Sequence, residues 1–319
     1  MAVEVLLFPG QGAQKVGMGA DICETYDSAC RVFEKASASI DVDLESVCFE
    51  GPREELNRTD LCQPAILTAS IAVHEAIEEE LGRELAPSIV AGLSLGEYSA
   101  YVVAKAIELE DAVRLVFARG TYMQEACDQN PGTMYSIIGL DDEVIEDACS
   151  QVRERGGQVW PANYNSPGQL VISGGKEAAA EAAQICEDNG ARRAIELKVA
   201  GAFHTPLMQT AAEKLGAELQ ATDFKEPICP VVANTSAEPC ENPDDIRDLL
   251  KQQVTHPVRW SQSMQWCLSR DHNEYAELGP GRVLRGLLKR IDKRADCVSI
   301  GDVEGVKENY ADLSHRETE

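Results

Sequence analysis

Short apolar runs alternate with amphipathic stretches over much of the chain. The apolar runs at residues 3–8 and 88–91 predict short buried strands. Apolar residues at helical spacing predict helices, and further apolar runs predict strands. The helices are expected at 21–39, 64–81, 97–107, 111–127, 205–221, 243–254, 260–270 and 280–293, and the later strands at 230–233 and 273–278. The polar tail from residue 301 is expected to fray. Strands that alternate with helices indicate an α/β fold with a mainly parallel sheet covered on both faces.

The pattern changes between residues 129 and 199. The strands predicted there lie at 133–140, 159–163, 169–173 and 193–199, and the helices at 141–155 and 176–189. This β-α-β-β-α-β order is typical of a ferredoxin-like fold. We therefore predict a small inserted α+β domain at 129–199 and a large domain made of residues 1–128 and 200–319.

The charge balance narrows the choice of partners. The 319 residues include 54 acidic and 29 basic ones, for a formal charge of −25. Such a field repels nucleic acid and anionic membrane surfaces, so neither is expected as a partner. The eleven cysteines include no C-x-x-C pair and predict reduced thiols rather than a disulfide framework or a metal site. No secretory leader and no membrane-spanning apolar run is recognised, so a cytoplasmic protein is expected.

A serine between two glycines is the most informative motif. The segment Gly-Leu-Ser-Leu-Gly at 92–96 follows the apolar run 88–91 and precedes the predicted helix 97–107. In a nucleophile elbow the glycines permit a turn too tight for side chains. The serine hydroxyl then projects at the carboxyl end of the sheet, near the positive end of the next helix. The flanking strand and helix favour a nucleophilic role for Ser94 over an ordinary glycine turn.

A serine nucleophile needs a base, and the sequence offers five histidines. His204 lies just after a predicted strand and just before a helix, at the edge of the sheet where open α/β folds place their sites. His74 lies beside acidic residues on an amphipathic helix and is expected to be solvated, and His315 lies in the tail. We predict that His204 is the base, with a structural turn histidine as the alternative.

Arg119 projects from the apolar face of its predicted helix. Its helical neighbours are Leu115, Val116, Tyr122 and Met123, whereas Arg114 follows acidic residues and is expected to be solvated. A buried guanidinium must find an anion, since burying it unpaired is costly. Arg119 is therefore interpreted either as half of a structural ion pair or as a bidentate clamp on a substrate carboxylate.

Two further segments carry candidate chemistry. Gln11 lies in a glycine-flanked loop directly after the first strand, where a backbone N–H could serve as an oxyanion donor. The predicted helix 280–293 is basic in an otherwise acidic chain, and its basic residues are Arg282, Arg285, Lys289, Arg290 and Lys293. A solvated amphipathic face is one interpretation of this helix, and a docking site for an anionic partner is the other.

Taken together, these motifs resemble the malonyl-CoA:acyl carrier protein transacylase family. The matching segments follow in order along nearly the whole chain. They are Phe-Pro-Gly-Gln-Gly-Ala-Gln at 8–14, Gln-Pro-Ala at 63–65, the elbow segment 92–100, Arg-Gly at 119–120, Asn-Ser-Pro-Gly-Gln at 165–169, Ala-Phe-His-Thr-Pro at 202–206 and Gly-Pro-Gly-Arg-Val-Leu at 279–284. The resemblance implies a hydrolase-like α/β core with the ferredoxin-like insert.

The resemblance also implies roles for individual residues. Ser94 would be the nucleophile and His204 its base, oriented by the backbone carbonyl of Gln253, and the N–H groups of Gln11 and Leu95 would hold the oxyanion. Arg119 would pair with the malonyl carboxylate, and the other residues at the substrate would be Met123, Asn165 and Phe203. The implied partners are malonyl-CoA and acyl carrier protein, the latter on Arg282, Arg285, Lys289 and Arg290. No metal or redox cofactor is needed, and a monomer is expected.

One position departs from the family pattern, since many relatives have His where this chain has Leu93. Three rivals stay open at this point. A serine esterase or thioesterase would deliver the acyl group to water, and such hydrolases place an acidic residue between Ser and His in chain order. A non-catalytic docking module would keep the basic helix without the chemistry. An acyltransferase of polyketide synthesis would share the malonyl substrate.

Overall fold

The computed structural model describes residues 4–313. Its elements follow in chain order. The first part of the chain forms β1 (Val5–Phe8), α1 (Ala20–Thr25), α2 (Asp27–Ile40), α3 (Leu44–Phe49), α4 (Arg53–Leu56), α5 (Thr59–Leu81), β2 (Ile89–Gly92), α6 (Gly96–Val103) and α7 (Leu109–Gln129). The middle forms β3 (Gly132–Ile138), α8 (Asp142–Glu154), β4 (Val159–Ser166), β5 (Gln169–Gly175), α9 (Lys176–Asp188) and β6 (Arg193–Glu196). The last part forms α10 (Gln209–Ala221), β7 (Val231–Val232), β8 (Pro239–Cys240), α11 (Pro243–Gln253), α12 (Trp260–Leu268), β9 (Glu274–Leu278), α13 (Val283–Ile291), β10 (Asp296–Ile300) and α14 (Val303–Leu313).

Among the described residues, the larger sheet has six strands in the order β10-β9-β1-β2-β7-β8, and only the β7–β8 pairing is antiparallel. The predicted α/β fold with a mainly parallel sheet is therefore confirmed. The strand β1 lies beside β2, and Phe8 is in register with Gly92. The loop after β1 and the turn after β2 consequently lie side by side at the carboxyl edge of the sheet.

The second sheet is antiparallel, with the order β4-β5-β3-β6. Its strands and the helices α8 and α9 follow the predicted β-α-β-β-α-β sequence. Apolar residues on α8 and α9 pack with the inner faces of these strands in a hydrophobic cluster of their own. The division into a domain at 129–199 and a domain of residues 1–128 and 200–319 stays a prediction.

The end of the chain differs from the prediction in two ways over the residues that the structure describes. Residues 296–300, for which no strand was predicted, form β10, which pairs in parallel with β9. The tail from residue 301, which was expected to fray, continues as the helix α14 (Val303–Leu313). Cys297, Ile300 and Val306 are buried, so this segment closes one edge of the core rather than fraying. Residues 1–3 and 314–319, with His315 and the start of the predicted first strand, lie outside the described residues.

The helix α5 lies at the centre of the helical layer, and its burial corrects the prediction that His74 is solvated. It packs against α2, α7 and α6, and its buried residues go round the helix rather than along one face. His74 is therefore buried, with Glu75 3.5 Å from Nδ1 and Glu78 3.6 Å from Nε2, and is not solvated as predicted. Within residues 4–313, no helix is both long and apolar enough to cross a bilayer.

Candidate active site

The turn between β2 and α6 places Ser94 in a strained backbone conformation. Its φ is 53°, in the left-handed region that side chains other than glycine rarely adopt. A Cβ added to Gly92 would lie 1.9 Å from the carbonyl carbon of Gly96, and one on Gly96 would lie 2.1 Å from the oxygen of Phe8. The two glycines are thus required because backbone passes against backbone, as a nucleophile elbow demands.

His204 reaches the elbow from 110 residues further along the chain. Its Nε2 lies 2.9 Å from the Ser94 Oγ, and its Nδ1 lies 2.7 Å from the backbone oxygen of Gln253. A carbonyl oxygen only accepts, so Nδ1 carries the hydrogen and Nε2 is free to accept the serine proton. His204 is 5% exposed, and burial together with the positive charge of Arg119 lowers its pKa to about 4. The imidazole is therefore neutral at neutral pH, as a base must be.

Arg119 extends from α7 into the same centre and is 2% exposed. Its Nη1 donates to Gln63 Oε1 at 2.6 Å, and its Nη2 donates to Ser94 Oγ and to Gln253 Oε1, each at 2.9 Å. Within residues 4–309, no carboxylate oxygen lies within 4.0 Å of the guanidinium nitrogens, and the Nε–H has no hydrogen-bond partner. The structural ion pair is thus not formed, and a buried cation is held by neutral oxygens with a donor to spare.

The two backbone N–H groups expected to hold an oxyanion flank the serine. Leu95 immediately follows Ser94 at the start of α6, and Gln11 lies in the loop after β1, next to the elbow. Among the described residues, neither N–H donates a hydrogen bond to another protein group. Both amides are therefore available to an acyl oxygen.

A cavity of about 190 Å³ opens onto these groups. It lies between the carboxyl edge of the larger sheet and the smaller sheet. Seven of the residues singled out from the sequence line it, namely Gln11, Ser94, Arg119, Met123, Asn165, Phe203 and His204. Gln253 and Leu95 are fully buried behind this lining. Apolar and amide side chains that the sequence analysis did not single out complete the wall, among them Met134, Asn163, Val171, Leu197 and Val199.

Three polar residues behind the lining were also missed. Gln63 accepts from Arg119, Asn234 accepts the N–H of Ser94 at 2.6 Å, and Glu97 accepts from Asn234 and Gln253. Gln63 lies in the Gln-Pro-Ala segment and Glu97 follows the elbow, so both stood in motifs that were recognised. Nothing in the sequence near Asn234 marks it, because its partners are 140 and 142 residues away.

The basic helix α13 lies at the mouth of the cavity. Val283 and Leu287 on this helix line the cavity, and Leu284 and Leu288 are buried in the core. The predicted docking residues Arg282, Arg285, Lys289 and Arg290 are all exposed, and Arg290 donates to Gln169 of the smaller sheet. Lys293, predicted on the same stripe, lies beyond the end of the helix at Ile291.

Leu93 forms part of the cavity wall directly before the nucleophile. It packs against the hydrophobic cluster that contains Leu7, Trp260 and Leu284. The chain thus presents an apolar surface directly before the nucleophile, and the Ser94 hydroxyl contacts no imidazole other than that of His204 among the described residues.

A serine at a strand–helix turn, held against a neutral histidine beside a cavity, is the arrangement of enzymes that transfer acyl groups through a serine ester. The chain belongs to the acyl transferase family, since the model of the acyl transferase domain matches residues 5–311.

Curated relatives agree with this assignment. The chain is 46% identical over 285 residues to the malonyl CoA-acyl carrier protein transacylase of Escherichia coli (strain K12), which covers 89% of this chain and 91% of that protein. It is 41% identical over 307 residues to the protein of the same name from Bacillus subtilis (strain 168), covering 96% of each.

Solved structures also superpose closely on this chain. An acyl carrier protein S-malonyltransferase from Vibrio cholerae superposes with a TM-score of 0.92 at 41% identity, covering 96% of this chain and 99% of that one. A malonyl-transacylase solved in complex with a type II PKS acyl-carrier protein gives a TM-score of 0.93 at 41% identity, covering 97% and 99%.

Proposed function

We propose that this protein transfers the malonyl group from malonyl-CoA to the phosphopantetheine thiol of acyl carrier protein and so supplies fatty-acid elongation. The observation that carries the proposal is that an imidazole and a guanidinium both contact one serine oxygen. The Ser94 Oγ lies 2.9 Å from a neutral imidazole and 2.9 Å from a buried guanidinium with an unpaired N–H. Relatives that cover most of the chain carry the same activity in their names.

The first half of the reaction forms a malonyl-serine ester. The Ser94 Oγ attacks the thioester carbonyl carbon while its proton passes to His204 Nε2, and the carbonyl oxygen becomes an oxyanion. The N–H groups of Gln11 and Leu95 hold that oxyanion, aided by the positive end of α6. The carbon–sulfur bond then breaks, and the imidazolium returns its proton to the departing CoA thiolate.

The second half reverses these steps with a different thiol. The phosphopantetheine thiol gives its proton to His204 and attacks the ester carbonyl, and the oxyanion returns to the same two N–H groups. The ester bond to Ser94 breaks, and the imidazolium protonates the serine oxygen. No step calls for a metal ion or a redox cofactor.

Arg119 selects the acyl group. A malonyl carboxylate can take the donors that the guanidinium leaves unpaired, and the pairing is strong because the site is buried. Met123 and Phe203 supply apolar walls, and Asn165 lies across the cavity on β4. An acetyl group offers no carboxylate, so it leaves the guanidinium unpaired.

The thioesterase rival is weakened by the group behind His204. A backbone carbonyl, not a carboxylate, accepts the Nδ1–H. The decisive experiment mixes the enzyme with malonyl-CoA, with and without holo carrier protein, and measures both products. We expect malonyl-carrier protein with little free malonate, whereas steady release of malonate that ignores the carrier protein would contradict the proposal.

Further assignments belong to this proposal. Carrier protein docks on Arg282, Arg285, Lys289 and Arg290 beside the cavity mouth, supported by their exposure in a chain of charge −25. The residues 129–199 act as a separate small domain over the acyl site. The protein works as a cytoplasmic monomer. It does not bind nucleic acid, since its charge of −25 repels polyanions.

A further inference from the structure

Glu97 is a buried acid that none of the proposed chemical steps uses. It lies in the first turn of α6, is 1% exposed, and burial raises its pKa to about 7. Its Oε2 accepts from the backbone N–H of Asn234 at 3.1 Å and from Gln253 Nε2 at 2.7 Å. Its Oε1 has no hydrogen-bond partner among the described residues. One carboxyl oxygen thus holds two groups that belong to different elements.

Asn234 carries this anchoring to the elbow. Its side-chain Oδ1 accepts the N–H of Ser94 at 2.6 Å, and its Nδ2 donates to the oxygen of Gly92 at 2.7 Å. The Asn234 side chain therefore holds the backbone on both sides of Leu93, directly before the strained residue Ser94. Because Glu97 fixes the backbone of Asn234, it also fixes the position of the nucleophile.

Gln253 carries the anchoring to the base and to the arginine. Its Nε2 donates to Glu97 and to the oxygen of Ser94, its Oε1 accepts from Arg119, and its backbone oxygen accepts from His204. Only one orientation of the amide satisfies these neighbours. The opposite orientation would turn the NH₂ group toward the guanidinium and the oxygen toward two acceptors.

We propose that Glu97 is a positioning residue for acyl transfer, which acts through Gln253 and Asn234 to hold Ser94, His204 and Arg119 around one point. This inference rests on the proposed function. The inference adds one consequence for the choice between malonyl and acetyl groups. Since the Gln253 oxygen that Glu97 orients also holds Arg119, loss of Glu97 should impair malonyl transfer more than acetyl transfer.

The test compares Glu97→Ala with Glu97→Gln in single-turnover acylation, followed by intact mass spectrometry with malonyl-CoA and with acetyl-CoA. Glu97→Gln keeps an acceptor oxygen for both donors, and its NH₂ takes the place of the oxygen that no donor needs. We expect rates within about threefold of the wild type for Glu97→Gln and roughly ten- to a hundredfold slower malonylation for Glu97→Ala. The malonyl-to-acetyl rate ratio of Glu97→Ala should fall by about fivefold or more.

Asn242→Ala is the matched control. Asn242 caps the start of α11, the helix that ends at Gln253, and it accepts two backbone N–H bonds at 2.8 and 3.4 Å. The control therefore loses as many hydrogen bonds as Glu97→Ala without touching the network, and it should acylate at the wild-type rate.

Several outcomes overturn the inference. They are wild-type acylation by Glu97→Ala, equal losses in Glu97→Ala and Glu97→Gln, or an unchanged malonyl-to-acetyl ratio in a slowed Glu97→Ala. If Glu97→Ala does not fold, Glu97→Asp replaces it with the same expectations, because it draws the acceptor back by one carbon. A wild-type enzyme that forms no malonyl adduct would instead contradict the proposed function, whatever Glu97 does.

Discussion

Replacing Arg119 by alanine should lower malonyl transfer far more than acetyl transfer. The guanidinium is 2% exposed, so solvent screens its pairing with a carboxylate very little. Removing one partner of a buried, hydrogen-bonded charge pair costs about 2–5 kcal/mol, which corresponds to a loss of roughly thirtyfold or more in malonyl transfer. Acetyl transfer has no carboxylate pairing to lose. It loses the hydrogen bond from Nη2 to the reacting Ser94 Oγ, at about 0.5–1.5 kcal/mol or roughly tenfold, and the bonds to Gln63 and Gln253 are lost for both thioesters alike and cancel in the ratio of rates.

The assay measures acylation of Arg119→Ala by each thioester in single turnovers and compares the ratio of rates with that of the wild type. Arg114→Ala is the control on the same helix, since Arg114 is exposed and its one ion pair within residues 4–309 is with Asp111 at the surface. We expect an unchanged ratio for Arg114→Ala and a clear fall for Arg119→Ala. If Arg119→Ala lowered both rates equally, the guanidinium would support the serine without reading the substrate, and the clamp hypothesis would be wrong.

Three further results are expected. Burial and Arg119 lower the pKa of His204 to about 4, so the base stays neutral down to that pH. The acylation rate should therefore be level from about pH 8 to pH 5.5 and halve near pH 4. A rate that halves near the ordinary histidine pKa of about 6.5 would contradict the lowered pKa. Gly92→Ala should yield no folded protein, since the added Cβ would lie 1.9 Å from backbone atoms. Gly286→Ala on α13 should keep or raise the melting temperature, because a Cβ there meets nothing within 4 Å among the described residues. A stable Gly92→Ala would refute the argument that backbone passes too close to Gly92 for a side chain. The double variant Arg285→Glu, Lys289→Glu should raise the KM for carrier protein and weaken the salt dependence of that KM without changing acylation by malonyl-CoA. The control double variant Arg31→Glu, Lys35→Glu, at exposed positions on α2, should change neither the KM nor its salt dependence. Equal effects of the two double variants would mean that α13 is only a solvated face.

The parts of the site that lie in local motifs could be predicted from the sequence. Ser94 stands in the Gly-Leu-Ser-Leu-Gly segment at a strand–helix boundary, and the structure places it in the expected turn. His204 stands at a loop after the inserted segment and reaches Ser94, as predicted. Arg119 was recognised by its apolar neighbours, since a charge on that face must be buried, and it is. In each case the signal lay within one turn or one helix of the residue itself.

The remaining features depend on contacts between distant segments. Arg119 was expected to meet a carboxylate, either of the protein or of a substrate, yet it is held by the amide oxygens of Gln63 and Gln253. Asn234 follows a two-residue strand and has no local mark of its role. The strand β10 forms because β9 offers it a parallel partner, and no strand was predicted at 296–300 because its short apolar pattern does not reveal that partner. His74 is buried because α5 is surrounded by other helices, and its own sequence cannot show that.

The most direct test of the account follows the mass of the intact protein after it is mixed with malonyl-CoA and then with holo carrier protein. One malonyl adduct should form on the wild type, map to Ser94, and leave when the carrier protein is added. Ser94→Ala should form none, although the rest of the cavity is unchanged. An adduct of equal amount on Ser94→Ala, or a wild-type adduct that carrier protein does not remove, would contradict a transfer that proceeds through this serine.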